Sequence, residues 1–208
     1  MENREQENFG TEKIPQQCVG SQTNAEETIE LSSEQEAIDF FRVVKNRFLN
    51  VNEWYKIAEL PMSAFKLTDY SGQEVNRPVI EGDYFRIDIP GPGTQTGEGY
   101  DWVKVEELSE EKSENKELIT LKARPAPNPQ NNDENTAHFF TDEAVSTFQV
   151  KRIGNKIFAE EHGRNEVANT DTRHGLDNMR NAIVGWAAKI GVSYPQWKSL
   201  VKGWISRD

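Results

Sequence analysis

Cysteine is almost absent from this chain: Cys18 stands alone among 208 residues. No intramolecular disulfide can form, so a reducing compartment fits. Long apolar runs are missing too, and no stretch approaches the roughly 18 residues of a membrane span. The opening MENREQENFGTEK has no apolar core of a secretory signal. A cytoplasmic location is the expectation that remains. Positive charge is scarce: 24 Lys and Arg face 35 Asp and Glu, a net charge of −11. A phosphate-binding surface needs the opposite sign, so nucleic acid and anionic membranes are not expected partners. The acidity reads as solubility.

Catalytic and metal signatures are equally sparse. Gly91 to Gly99 is glycine-rich, but a strand rather than a helix follows it. No Gly-Lys-Ser/Thr is present, and Glu98 would repel phosphate. It reads as an inter-strand loop, at most a mobile rim over a cavity. His138, His162 and His174 are the only histidines, without a close-spaced metal-ligating pair. No Gly-x-Ser-x-Gly elbow appears. Carboxylates abound, Asp83, Asp88, Asp101, Glu160 and Glu161 among them, but spacing does not pair them. No catalytic residue, metal or cofactor is assigned.

Aromatic mass is present: ten Phe, five Trp and five Tyr, enough for a real core. Residues 1–26 are polar and read as a disordered tail, and residues 27–208 as one domain. Glu27 to Leu31 alternates and suits a short strand. Ser33 and Glu36 have capping-box spacing. Ala37, Phe40, Phe41, Val44 and Phe48 then follow at helical steps. Asn50 and Asn52 are candidate caps for a short helix burying Trp54, Ile57 and Ala58. From Ala64 the period becomes two. Strands are expected at Phe65–Leu67, around Phe85–Ile89, from Trp102 and at Leu118–Leu121. The acid-rich Glu106–Glu117 reads as a solvated hairpin end. Pro125, Pro127 and Pro129 open a loop. Val145–Ile153 and Lys156–His162 flank Gly154-Asn155, the clearest hairpin signal. Leu176, Met179, Ile183, Trp186 and Ile190 then recur at helical spacing. A further helix over 193–208 carries Trp197, Leu200, Val201, Trp204 and Ile205. The class is therefore α+β.

The order of elements resembles the START/SRPBCC superfamily, which includes the polyketide cyclase and Bet v 1-like proteins. Three segments carry the resemblance: Thr28–Leu31 into Ser33–Ala37, Asn52-Glu53-Trp54, and Ser146–Val150 through Gly154-Asn155 to Phe158–His162. It covers about Glu27 to Ile190. It implies a helix-grip fold: a curved antiparallel sheet of about seven strands gripping a long C-terminal helix, with two short helices after strand 1. The hydrophobic cavity of such a fold lies between sheet and helix. Members bind lipids, sterols, polyketides or other apolar molecules. The proline-rich segment from Pro125 to Asp142 and the extra C-terminal helix depart from the minimal pattern; either would cap or fill the cavity.

The expected function is non-catalytic binding of a small hydrophobic molecule or lipid. The expected lining is Trp54, Phe85, Trp102, Phe140, Phe148 and Phe158, with Met179, Ile183 and Trp186 from the long helix. Arg86, Thr147 and His162 would supply polar anchors. The bland alternative for each aromatic is plain core. A second reading is a co-chaperone-like interaction module with Trp197 and Trp204 as an exposed stripe for a protein partner. A third is a cyclase- or hydrolase-like enzyme, which would need a buried acid or histidine with a shifted pKa.

Overall fold

A computed structural model describes residues 8–58, 63–88, 96–169 and 194–207. Seven strands form one antiparallel sheet: β1 (Ser21–Glu30), β2 (Ala64–Thr68), β3 (Tyr84–Asp88), β4 (Asp101–Lys112), β5 (Lys116–Pro125), β6 (Val145–Ile153) and β7 (Lys156–Glu166). Their order is β1-β7-β6-β5-β4-β3-β2, so β1 and β2 form the two edges and the sheet does not close. Three helices are described: α1 (Glu34–Leu49), the single turn α2 (Trp54–Ile57) and α3 over residues 194–204. The architecture is α+β and consistent with a helix-grip arrangement. The expected long helix, Leu176 to Ile190, lies outside the described residues.

Local chemistry explains most of these elements. Ser33 caps α1 by accepting from the Glu36 amide at 3.2 Å. Glu36 reaches back to the amide of Ser32 at 3.1 Å, a capping box displaced by one residue. Ala37, Phe41, Val44 and Phe48 form the buried stripe of α1. The β6–β7 hairpin turns on Gly154, whose φ of 58° is costly for other residues. Two expectations need correction. First, β1 starts at Ser21, inside the segment read as tail. Its polar residues gave no alternation, yet pairing with β7 through Thr23↔Gly163 and Ala25↔Glu161 holds them extended. Second, Asn52 caps no helix: it accepts from the Leu67 amide at 2.9 Å and donates to the Val75 carbonyl at 2.8 Å. The acid-rich stretch is a solvated hairpin end, with β4 and β5 pairing out to Lys112↔Glu117. Lys122 bonds Glu107 at 2.7 Å and Lys13 lies 3.1 Å from Glu111, which offsets the crowded charge.

The core lies on one face of the sheet, under α1 and α3. Trp54 sits at its centre, with ring centroids of Phe65, Phe148 and Trp204 at 5.5, 5.5 and 5.3 Å. Edge-to-face contact suits the ring quadrupoles, and its indole N–H donates to the Phe48 carbonyl at 3.0 Å. Trp204 has no exposed surface and Trp197 is half-buried against Phe65 and Phe148. The Trp197/Trp204 stripe is therefore core, not the exposed surface that the interaction-module reading required. The apolar stripe of α3 covers Trp54 through Trp204, which is why that stripe is buried.

Candidate functional site

Strand pairing sorts every candidate residue by face, since neighbours along a strand alternate and residues directly opposite across strands agree. Phe65↔Ile87, Phe85↔Val103, Leu121↔Phe148 and Phe148↔Glu161 place these side chains on the core face. Arg86↔Trp102, Lys151↔Phe158 and Thr147↔His162 belong to the opposite face.

Between the core face and α3 lies a cavity, with about 50 Å³ open to the centres of water-sized atoms. Its apolar walls include Phe65, Phe85, Phe148 and Trp197. One end is closed by the segment after Pro125, through His138, Phe139, Phe140 and Ala144. That segment is stitched down along β4 and β5. The Trp102 amide donates to the Ala137 carbonyl at 2.8 Å, and the Phe139 amide to Asp101 Oδ1 at 2.9 Å. His138 accepts the Phe140 amide at Nδ1 (2.9 Å), which places its ring proton on Nε2, and stacks on Phe139 at 4.4 Å. The proline-rich insertion thus caps the cavity rather than filling it.

Polar groups gather at the β6–β7 side. Ser146 and Glu166 line the cavity there. Glu166 accepts from Ser21 Oγ at 3.1 Å and Thr23 Oγ1 at 3.2 Å. Its carboxyl folds over Gly163, where a Cβ would meet Glu166 Oε1 at 2.4 Å. Glu161, opposite Phe148, has no exposed surface, and both its carboxyl oxygens are buried without a hydrogen-bond partner of good geometry. Burial, and then the nearby charge of Glu166, push the Glu161 carboxyl well above the usual range; Arg164 and the Ser146 hydroxyl only partly oppose this. Burial raises Glu166 as well, against Ser21, Thr23 and Arg164. A neutral carboxylic acid beside an apolar cavity can donate or accept a proton, or bind a donor group.

Of the expected lining, Phe85, Phe140 and Phe148 line the cavity. Trp54 lies beneath it in van der Waals reach of Phe85 and Phe148. Arg86, Trp102, Phe158 and His162 face the other way, a correction that period-two alternation dictates: Phe85 and Arg86 are chain neighbours and cannot share a face. Arg86 pairs with Glu74 and stacks over Tyr100 at 4.5 Å. His162 bonds Asn24 at 2.8 Å and Glu160 at 3.1 Å, and Lys151 closes on Glu160 at 2.7 Å. Thr147 is buried on that same outer face. Met179, Ile183 and Trp186 lie outside the described residues, as does His174. Glu161, Glu166 and Ser146 were not expected as a group, although the alternation of Ile157, Ala159 and Glu161 carries a carboxylate onto an apolar face and was the available signal. Among the described residues no three His, Cys, Asp or Glu side chains gather as a metal site, and no helix is long and apolar enough to cross a membrane.

No family model and no curated protein matches this chain. Several solved structures resemble it weakly. A hypothetical protein from Helicobacter pylori is 13% identical, with 90% of this chain and 87% of that one matched at a TM-score of 0.47. Two Bet v 1-like proteins are similar at lower level. Ara h 8.0201 is 9% identical over 90% of this chain and all (100%) of its own, with a TM-score of 0.32. The major latex-like protein 151 of Panax ginseng is 9% identical over 84% and 99%, also at 0.32. Likeness at this level carries no inference about ligand or activity.

Proposed function

We propose that this protein binds a small, mostly apolar molecule in the cavity between the sheet and α3, without chemistry on it. The observation that supports this is an aromatic-walled space with a few polar groups, Ser146 and Glu166 at the β6–β7 side and Ser63 and Gln196 where β2 meets α3, the usual make-up of a ligand site. Size narrows the ligand. One water needs roughly 10–15 Å³ of such space, so about 50 Å³ suits a single-ring molecule. A single-ring molecule is therefore the ligand class to test first. The exposed single cysteine, Cys18, fits a reducing, cytosolic setting.

Trp197 lines the cavity, so its fluorescence reports occupancy. Titration with single-ring aromatics should give a saturable change. Ala123, buried on the cavity wall, offers a block: Ala123→Phe should weaken binding at least tenfold. A small ligand that binds wild type and this variant equally would place the site elsewhere, and no binding across the panel would sink the proposal.

A further inference from the structure

We propose that the ligand of this cavity carries a protonated basic nitrogen, received by Glu166 at the wall with Glu161 behind it. This rests on the cavity being a ligand site, as proposed above, and adds the chemical class of what fills it.

Three observations converge on this end of the cavity. The first is position. Glu166 and Ser146 line the space, and Glu161 stands directly across the strand pair from Phe148, which lines it too. The second is the unmet bonding capacity. Glu161 is fully buried, and neither oxygen has a hydrogen-bond partner of good geometry. Buried acceptors are nearly always satisfied, and the Ser146 hydroxyl, in poor geometry, is the one side-chain donor that acts on Glu161, so this carboxyl is short of donors. The third is charge. Arg164 is the cation that acts on both carboxyls. Its guanidinium, however, is committed to the carbonyls of Thr23 at 2.9 Å and Gly163 at 2.7 Å and to Asn24 Oδ1 at 2.8 Å. Neither carboxyl forms an ion pair with it.

A pair of carboxyls out of water with no paired cation carries a heavy desolvation penalty. One remedy is a proton, which burial favours on the Glu161 carboxyl. The other is a ligand ammonium, which brings both charge and up to three donors. An anionic ligand would meet repulsion here, and a neutral hydroxyl would satisfy one acceptor while leaving the charge uncompensated. The apolar body of the ligand would lie against Phe85 and Phe148.

Benzylamine, benzyl alcohol, toluene and benzoate form a matched probe set of one ring each. Calorimetric titration at pH 7 should rank the amine at least tenfold tighter than the alcohol, with benzoate weakest. In Glu166→Gln, whose amide oxygen can accept from one of Ser21 and Thr23 while its NH2 donates to the other hydroxyl, the amine preference should fall to within about twofold of the alcohol. Equal affinity of amine and alcohol in the wild type, or tight benzoate binding, overturns this proposal while leaving the cavity reading standing. Failure of all four probes overturns both. The wild-type ranking decides by itself if the variant does not fold.

Discussion

Glu161 is the residue at which local pattern and tertiary environment disagree most. Its strand neighbours Ile157 and Ala159 point into the core, and alternation carries the carboxyl in after them. The raised carboxyl sets the sign of a pH effect. Above the unfolded value of about 4.5 the unfolded chain has lost a proton that the native chain keeps. Native stability therefore falls as pH rises from there toward the folded pKa. Glu161→Met keeps the volume and removes the acid. It should stabilise the protein at pH 8 by about 1–3 kcal/mol, with a smaller gain at pH 5; urea melts at the two pH values measure this. An equal gain at both would mean that Glu161 does not titrate as described. A stabilising change that also abolished amine binding would mark a residue kept for function at a cost in stability. Glu160, one position earlier, has the opposite sign. Burial pushes it up, but the His162 hydrogen bond and the Lys151 charge outweigh burial and leave it below the usual range. Its contribution is present above about 4.5 and fades as pH falls below that.

At the scale of elements, α3 is the lid of the core, and one contact sets how closely it lies. A Cβ on Gly203 would sit 2.1 Å from the Ile57 carbonyl oxygen. That oxygen is backbone and cannot swing aside. Gly203→Ala should therefore lift α3 from α2 and cost about 1–3 kcal/mol, read from the shift of a denaturant midpoint; an unchanged midpoint would mean that the helix does not approach so closely. The hairpin signals, the caps of α1 and the apolar stripes of α1 and α3 were all legible in the chain, because each is a contact between residues a few positions apart. The extension of β1 back to Ser21 was not. Its polar residues are held by pairing with β7, more than a hundred positions away, and by the amides of Cys18 and Val19 donating to Asn165 Oδ1 at 2.7 and 3.2 Å.

For the whole molecule, the sheet is open at both edges and its core face is closed from above. Removal of residues 194–208 would strip Trp204 from Trp54 and Phe48 and expose Phe65 and Phe148. Cooperative unfolding should be lost and the truncated chain should aggregate, as calorimetry and size-exclusion chromatography would report. A soluble truncation with an unchanged melt would remove α3 from the core. The outer face is also covered in part. Gly10 and Phe9 accept at their carbonyls from Gln149 Nε2 at 2.9 Å and Lys151 Nζ at 3.1 Å, so the N-terminal segment lies over β6. This explains how Gln149 and Lys151 come to be buried on the side away from the core.

By itself the sequence determined the class, the helix stripes, the central hairpin and the aromatic supply of the core, since these follow from periods of 2 and 3.6 along the chain. The same period of 2 separates Phe85 from Arg86 across the sheet, against the expectation that both line one cavity. Only the tertiary structure decided which face is interior, because strand order and the covering helix choose it. Only that choice brought Ser146, Glu161 and Glu166 together from two strands, buried the Glu161 carboxyl among apolar side chains, and turned Trp197 and Trp204 from an open stripe into a cavity wall and a part of the core.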